Sequence, residues 1–191
     1  MQLVYSFRID KSDSVYKDLA KMSRISKDLY NQALFEIKEH YKNTKQILFY
    51  EDLDKVMKQK HNLDGKINYR SLPAQVSQQT LKLLSKNVNA FFKALADYKE
   101  HTEKYNAPPQ FPNFLPQDGH FIITFTNQKA VITDGATIKL WKKIEIAIPV
   151  AEFTKYRDRW IKLNGKRVVP LFAQIRIIPK FNGRFFNVEI V

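Results

Sequence analysis

The sequence contains no cysteine among its 191 residues. Disulfide bridges and thiolate metal sites are excluded, and the usage suits a reducing cytoplasm. Glycine occurs only five times, with no glycine-rich phosphate loop. The four histidines, His40, His61, His101 and His120, lie far apart and match no metal-ligand spacing, so they read as exposed structural side chains. No apolar run approaches the roughly 20 residues that a membrane-spanning helix needs. The opening residues, MQLVYSFRID, alternate as a strand does and not as a signal peptide. Carboxylates on strand-patterned segments are few. Glu145 and Glu189 stand out, whereas a two-metal nuclease centre needs several converging acids. No Ser–His–Asp or Cys–His set can be nominated. No catalytic centre is recognisable, and none of these residues calls for a cofactor.

Acidic side chains are also scarce relative to basic ones, 19 against 32, for a formal net charge of +13. Such an excess predicts attraction to polyanions, nucleic acid before anionic membrane. The excess is uneven: residues 1–119 carry 19 basic and 14 acidic side chains, residues 120–191 carry 13 and 5. Contact with phosphate is therefore expected to involve the C-terminal part. Hydrophobic residues make up 44% of the chain, enough for a buried core.

Hydrophobic periodicity divides the chain. Residues 3–9 alternate, with Leu3, Tyr5, Phe7 and Ile9 on one side, as in a half-buried strand. Val15, Leu19, Met22, Ile25, Leu29, Ala33, Ile37 and Tyr41 then recur at steps of three and four, predicting a long amphipathic helix with Ser12 or Asp13 as its N-cap. A shorter helix follows at about 51–60, then a loop over 62–70. A third helix is predicted over 72–98, with Pro73 in its first turn. Residues 105–119, YNAPPQFPNFLPQDG, form a proline-rich connector. Strand patterns return at 121–126, 130–133, 137–141, 144–148, 173–179 and 185–191. Asp134-Gly135, Asn164-Gly165 and Asn182-Gly183 supply turn signals. A lone first strand is unstable, so it is expected to pair with the later strands, making the helices an insertion into one β-domain.

On the third helix, Val76, Thr80, Leu83, Leu84, Val88, Phe91, Leu95 and Tyr98 fill one side. Gln75, Gln78, Gln79, Lys82, Lys86, Asn89 and Lys93 fall on the other, with no acid until Asp97. Amides can donate to and accept from base edges, and lysine can neutralise phosphate. An ordinary solvent face is the plain alternative, although such faces usually mix charges of both signs. Towards the C-terminus, aromatic and basic residues interleave: Tyr156-Arg157, Arg159-Trp160, Lys180-Phe181 and Arg184-Phe185-Phe186. Stacking beside phosphate contacts would hold single-stranded nucleic acid, whereas burial would make the same rings core. Arg157, Arg159, Arg176, Lys180 and Arg184, with Lys86 and Lys93, are the candidate phosphate contacts.

Five segments in order, LYNQALFEIKEHY (29–41), SLPAQVSQQTLKLLSKNVNAFFKAL (71–95), FPNF (111–114), FTNQKAVI (125–132) and IRIIPKFNGRFFNVEIV (175–191), resemble the N-terminal half of the TnpB, or OrfB-type, proteins of prokaryotic insertion sequences, relatives of type V CRISPR effector nucleases. The resemblance implies an α+β fold: a small β-barrel, the wedge domain, formed by 1–11 and 106–191 and interrupted by a helical recognition domain at 12–105. It implies that these domains hold a guide RNA and read a short target-adjacent motif in double-stranded DNA in the prokaryotic cytoplasm. Tyr50, Gln75, Gln78 and Thr126 fall on the positions that would touch that DNA, with Gln79, Lys82 and Asn127 as neighbours. Asn31 reads as a brace for its helix. The family continues beyond the point matching Val191 into a RuvC-like nuclease and a zinc-binding segment. Catalysis, magnesium and zinc are therefore expected to lie outside these residues, in the family's nuclease half, whether that half is cut away, lost by decay or carried by a separate partner subunit. Gln110 and Asn113 stand where the family usually carries basic residues, which weakens the case for contacts from the connector. Two alternatives rest on the same residues: a stand-alone sequence-specific DNA-binding regulator, and an interaction domain that dimerises through the third helix.

Overall fold

A computed structural model describes residues 4–133, 136–151, 154 and 172–191 of the chain. Strand β1 (Tyr5–Ile9) leads into helix α1 (Tyr16–Thr44), followed by α2 (Tyr50–Met57), a single turn α3 (Asn68–Ser71) and α4 (Ala74–Glu100). The connector then passes to β2 (Ile123–Thr126), β3 (Val131–Thr133), β4 (Thr137–Lys139), β5 (Glu145–Ala147), β6 (Gln174–Lys180) and β7 (Phe185–Ile190). The fold is α+β, and its strands form two antiparallel sheets, β1-β7-β6-β2 and β3-β4-β5. Among the described residues neither sheet closes on itself. No helix among them is long and apolar enough to cross a membrane. The expected turns at Asp134-Gly135 and Asn164-Gly165 lie outside the described residues, as do Leu3, Tyr156, Arg157, Arg159 and Trp160.

The first strand pairs with the last, Tyr5 opposite Ile190 and Ile9 opposite Phe186. The pairing expected from the marginal stability of an isolated strand is thus present, across the whole helical segment. Alternation in the larger sheet points Phe7, Ile9, Ile123, Phe125, Ile175, Ile177, Phe186, Val188 and Ile190 into the core. The opposite phase leaves Thr124, Thr126, Gln174, Arg176 and Ile178 half-buried. In the smaller sheet Ile132, Ile138 and Ile146 stand in register and are buried.

Several local expectations are corrected. Neither Ser12 nor Asp13 caps α1: Val15 holds the N-cap position, and Asp13 Oδ2 accepts from the Asp10 amide at 2.6 Å, shaping the turn before the helix. The loop expected over 62–70 runs into α3, which takes up its last residues and Ser71. On α4 the buried stripe includes Ser77, Leu81 and Ser85, while Leu83, Phe91, Leu95 and Tyr98 are only half-buried. The stripe is displaced because α4 packs against α1, α2, α3 and β2, so several partners share its buried side. The Asn182-Gly183 signal lies inside a four-residue hairpin loop, with left-handed φ at Phe181, Asn182 and Gly183 (47°, 53° and 75°).

A polar seam holds the helices to the start of the β-region. Ser26 Oγ and Thr80 Oγ1 lie 2.9 Å apart, and Ser26 also donates to the Ile122 carbonyl at 3.2 Å. Ser23 donates to the Phe121 carbonyl at 2.6 Å, and Phe121 N–H returns a bond to the Ser23 carbonyl at 3.1 Å. Asn31 binds Leu115 from both sides, accepting from its N–H at 2.8 Å and donating to its carbonyl at 2.9 Å. It is a brace, but of the connector rather than of its own helix.

Candidate nucleic-acid interface

The outward side of α4 borders two open depressions. The first, about 430 Å³, is lined by Tyr50, Lys82, Ser85, Lys86, Asn89, Ala90 and Lys93. The second, about 420 Å³, lies between α4 and the half-buried face of the larger sheet, where Gln79, Lys82 and Lys86 face Thr124, Gln174 and Arg176. Lys82 and Lys86 line both. Helical spacing explains the row: 75, 79, 82, 86, 89 and 93 differ by steps of three and four and share one side. Lys82, Lys86 and Lys93 are exposed and form no ion pair among the described residues.

Tyr50 opens α2 and lies half-buried, with the Lys82 ammonium 5.1 Å from its ring centroid. Burial, and then Asp54 and Glu51, push its hydroxyl above the usual phenol range, so it stays a neutral donor. Beneath it Tyr69 donates to Asp54 Oδ1 at 2.7 Å, and burial together with that bond raises Tyr69 much further. Gln78 is half-buried, and its amide beside Tyr69 opposes part of that rise. Gln75 is half-buried and bound to Thr126 twice: Nε2 donates to the Thr126 hydroxyl, and Oε1 accepts from the Thr126 N–H at 3.0 Å. Two of the four residues that the resemblance aligned with DNA contacts, Gln75 and Thr126, therefore form one unit joining α4 to the end of β2. Asn127 follows it, exposed, its N–H bonded to the Ala173 carbonyl at 3.2 Å.

The candidate phosphate contacts separate into groups. Lys86 and Lys93 stay with the α4 row. Arg176 reaches the second depression from β6, but Glu189 across the ladder lies 3.8 Å from it. Lys180 is four residues further along β6, roughly 13 Å at ordinary strand rise. Lys180 ends β6 and Arg184 closes the β6–β7 loop, where Phe181 is 74% exposed. Phe186 is fully buried and belongs to the core, so it offers no stacking surface. Phe185 stacks under Arg8, whose guanidinium lies 3.8 Å from the ring centroid.

Sequence reasoning missed Arg8 and Gln174. Gln174 was legible, since it lies two residues before Arg176 and shares its strand face. The Arg8–Phe185 stack needs the β1–β7 pairing and has no local signal. His120 was expected to be exposed. Its Nδ1 is instead buried without a partner, and its ring meets Phe186 edge-on at 5.9 Å. Among the described residues no three His, Asp or Glu side chains converge as metal ligands. Compared with known families and curated proteins, the chain matches no family model and no curated sequence.

Proposed function

We propose that the chain binds nucleic acid along the outward side of α4, as the RNA-holding and motif-reading half of a TnpB-like RNA-guided endonuclease. The observation that carries this reading is the acid-free row Lys82, Lys86 and Lys93, exposed and unpaired among the described residues, bordered by Tyr50 and Asn89 on one flank and by Gln174 and Arg176 on the other. A cationic groove with aromatic and amide walls suits a phosphate backbone and base edges together. In this reading the two sheets belong to one wedge-type barrel, and the helices form the recognition part. Guide RNA and double-stranded target DNA are the partners. Cleavage, with its metal ions, belongs to the nuclease part of such an endonuclease and not to these residues, and the setting is the prokaryotic cytoplasm. Gln79, Lys82 and Asn127 remain free to reach DNA, while Gln75 positions Thr126.

The test is fluorescence anisotropy with a labelled RNA hairpin and a labelled DNA duplex, titrated over a range of salt. Affinity should fall steeply as salt rises, and the double variant Lys82→Ala/Lys86→Ala should reduce the salt slope by about 1 for each phosphate contact removed. Binding unaffected by salt, or by both substitutions, overturns the reading. Sequence-specific duplex binding without any RNA would favour the stand-alone regulator. A salt-insensitive dimer that these lysines do not affect would favour the interaction domain.

A further inference from the structure

A separate depression of about 290 Å³ shares no residue with those beside α4. It opens between the first turns of α1, the end of α3 and the turn at 141–143 that joins β4 to β5. Its lining divides by chemistry. Met22 and Ile144 are buried and Ile25 is half-buried, giving an apolar floor. Trp141 contributes a half-buried indole. Asp18, Lys21, Ser71 and Lys142 are exposed at the rim.

Two features of this pocket bear on what it could hold. Lys142 holds φ 53° and ψ 42°, a left-handed conformation disfavoured for any residue with a Cβ. In that turn its ammonium lies 4.0 Å from the Trp141 ring centroid, so the indole is covered by a long charged side chain instead of by core. Asp18 forms no ion pair among the described residues, although Lys21 follows one turn later and lines the same pocket.

An aliphatic ligand would leave the carboxylate and both lysines unused. A cationic ligand would meet Lys21 and Lys142. A flat heterocycle with donors on its edge and an anionic tail uses all three parts: the ring on the indole, the edge on Asp18, the tail on the lysines. The volume, near the lower limit for ligand pockets, suits one nucleotide. Among the four common bases, guanine presents two adjacent donors, N1–H and the N2 amino group, to a carboxylate. Adenine and cytosine present an amino group beside an acceptor, and uracil a single N–H between two acceptors. We propose that this pocket binds one guanine nucleotide, stacked on Trp141, with Asp18 accepting from N1–H and N2–H and with Lys142 and Lys21 on the phosphate. On binding, Lys142 leaves the indole face for the phosphate. The same chemistry is met by free nucleotide or by an unpaired guanine within a strand. The inference does not rest on the α4 groove.

The chain has two tryptophans, so Trp160→Phe makes Trp141 the sole indole reporter. Titration with GMP should quench its fluorescence saturably, about tenfold more tightly than AMP, CMP or UMP, within the usual discrimination of a bidentate base contact. Asp18→Asn should erase that preference. Lys142→Gln should weaken GMP relative to guanosine, which has no phosphate to lose and gains an uncovered indole. A single-stranded oligonucleotide with one guanine, binding at least tenfold more tightly than GMP, identifies a strand as the source; equal affinity identifies the free nucleotide. If Trp160→Phe does not fold, Trp141→Leu in the native chain must abolish the GMP-dependent signal. Lys82→Ala/Lys86→Ala should leave GMP binding intact, which separates failure here from failure of the groove. Equal quenching by all four nucleotides, quenching indifferent to Asp18→Asn, or no quenching by GMP or the oligonucleotide overturns the proposal.

Discussion

Replacing Gln75 by alanine distinguishes a base-reading amide from a bracing one. In the structure both polar atoms of the amide are engaged by Thr126, the last residue of an edge strand. Removing the side chain deletes two hydrogen bonds of about 0.5–1.5 kcal/mol each, and water fills in only partly because the pair is half-buried. A loss of about 1–2 kcal/mol is expected. With a urea m-value of roughly 2 kcal/mol/M, the midpoint should move down by about 0.5–1 M with m unchanged. Gln75→Glu should recover most of the loss, because a carboxylate accepts from both the Thr126 N–H and its hydroxyl. Specific and random duplexes should weaken alike for Gln75→Ala, since the change displaces a strand end and not a base contact. Urea denaturation followed by circular dichroism, beside anisotropy on both duplexes, reads the two effects. An unchanged midpoint together with loss of preference for the specific duplex would refute the bracing argument and return Gln75 to the DNA.

Gly183→Ala places a methyl group 2.5 Å from the His120 ring in a residue at φ +75°, so it should cost about 2–4 kcal/mol, from left-handed backbone and overpacking together; in a His120→Ala background only the backbone part should remain, and equal costs in both backgrounds would show that the ring yields freely. His120 is held below its ordinary value of 6.5, first by burial and then by Arg24 and Lys27, with Asp118 opposing. The unfolded chain therefore binds the proton more readily, so stability should fall as pH drops through 6.5 and below, and His120→Gln should flatten that part of the profile. Gln78→Ala should weaken the preferred duplex by about 1–3 kcal/mol if its free amide atoms meet a base, and an equal loss on random DNA would make it only a support for Tyr69.

The strands and long helices were legible because their periods are long and consistent. All six strand patterns after the connector have counterparts in β2 to β7, displaced by one or two residues at their ends. The first strand's destination was legible by a stability argument, since a strand of five residues needs a partner and the later strands supply one. Short-range detail was less legible. The α1 start depends on a turn in which Asp13 binds Asp10 rather than a helix amide, a competition between equivalent local bonds that residue type alone does not decide. The row on α4 was legible as a face. Which of its members are free was not, because Gln75 and Thr126 are 51 residues apart and meet only in the folded chain. His120 was read as exposed for the same reason: the loop that covers it, at Gly183, comes more than sixty residues later.

The polar residues on α1 and α4 sort by a physical criterion that bears on the interface. Ser23, Ser26 and Asn31 on α1, and Gln75 and Thr80 on α4, all bond to one another or to backbone and side-chain groups between residues 113 and 126. That stretch contains the end of the connector and β2, whose amides and carbonyls would otherwise lack partners where they cross helix surfaces. Short polar side chains on two helices thus fix the path of an irregular segment, and through Thr126 they fix the edge of the larger sheet. Lysines cannot serve there without burying charge, so they are displaced to the outward side of α4, where solvent hydrates them. Lys27 is the instructive exception. It is 5% exposed, donates to the Gln117 carbonyl at 2.7 Å and pairs with Asp28 at 2.6 Å, so its charge is neutralised within the fold. By this criterion Lys82, Lys86 and Lys93, lacking any such partner among the described residues, are among the cations left free for a ligand. Substituting them should alter binding with little change in stability, whereas Lys27→Ala should lower the unfolding midpoint and leave the salt slope of binding unchanged. The reverse pattern in those two measurements would show that the division between bracing and binding side chains is drawn in the wrong place.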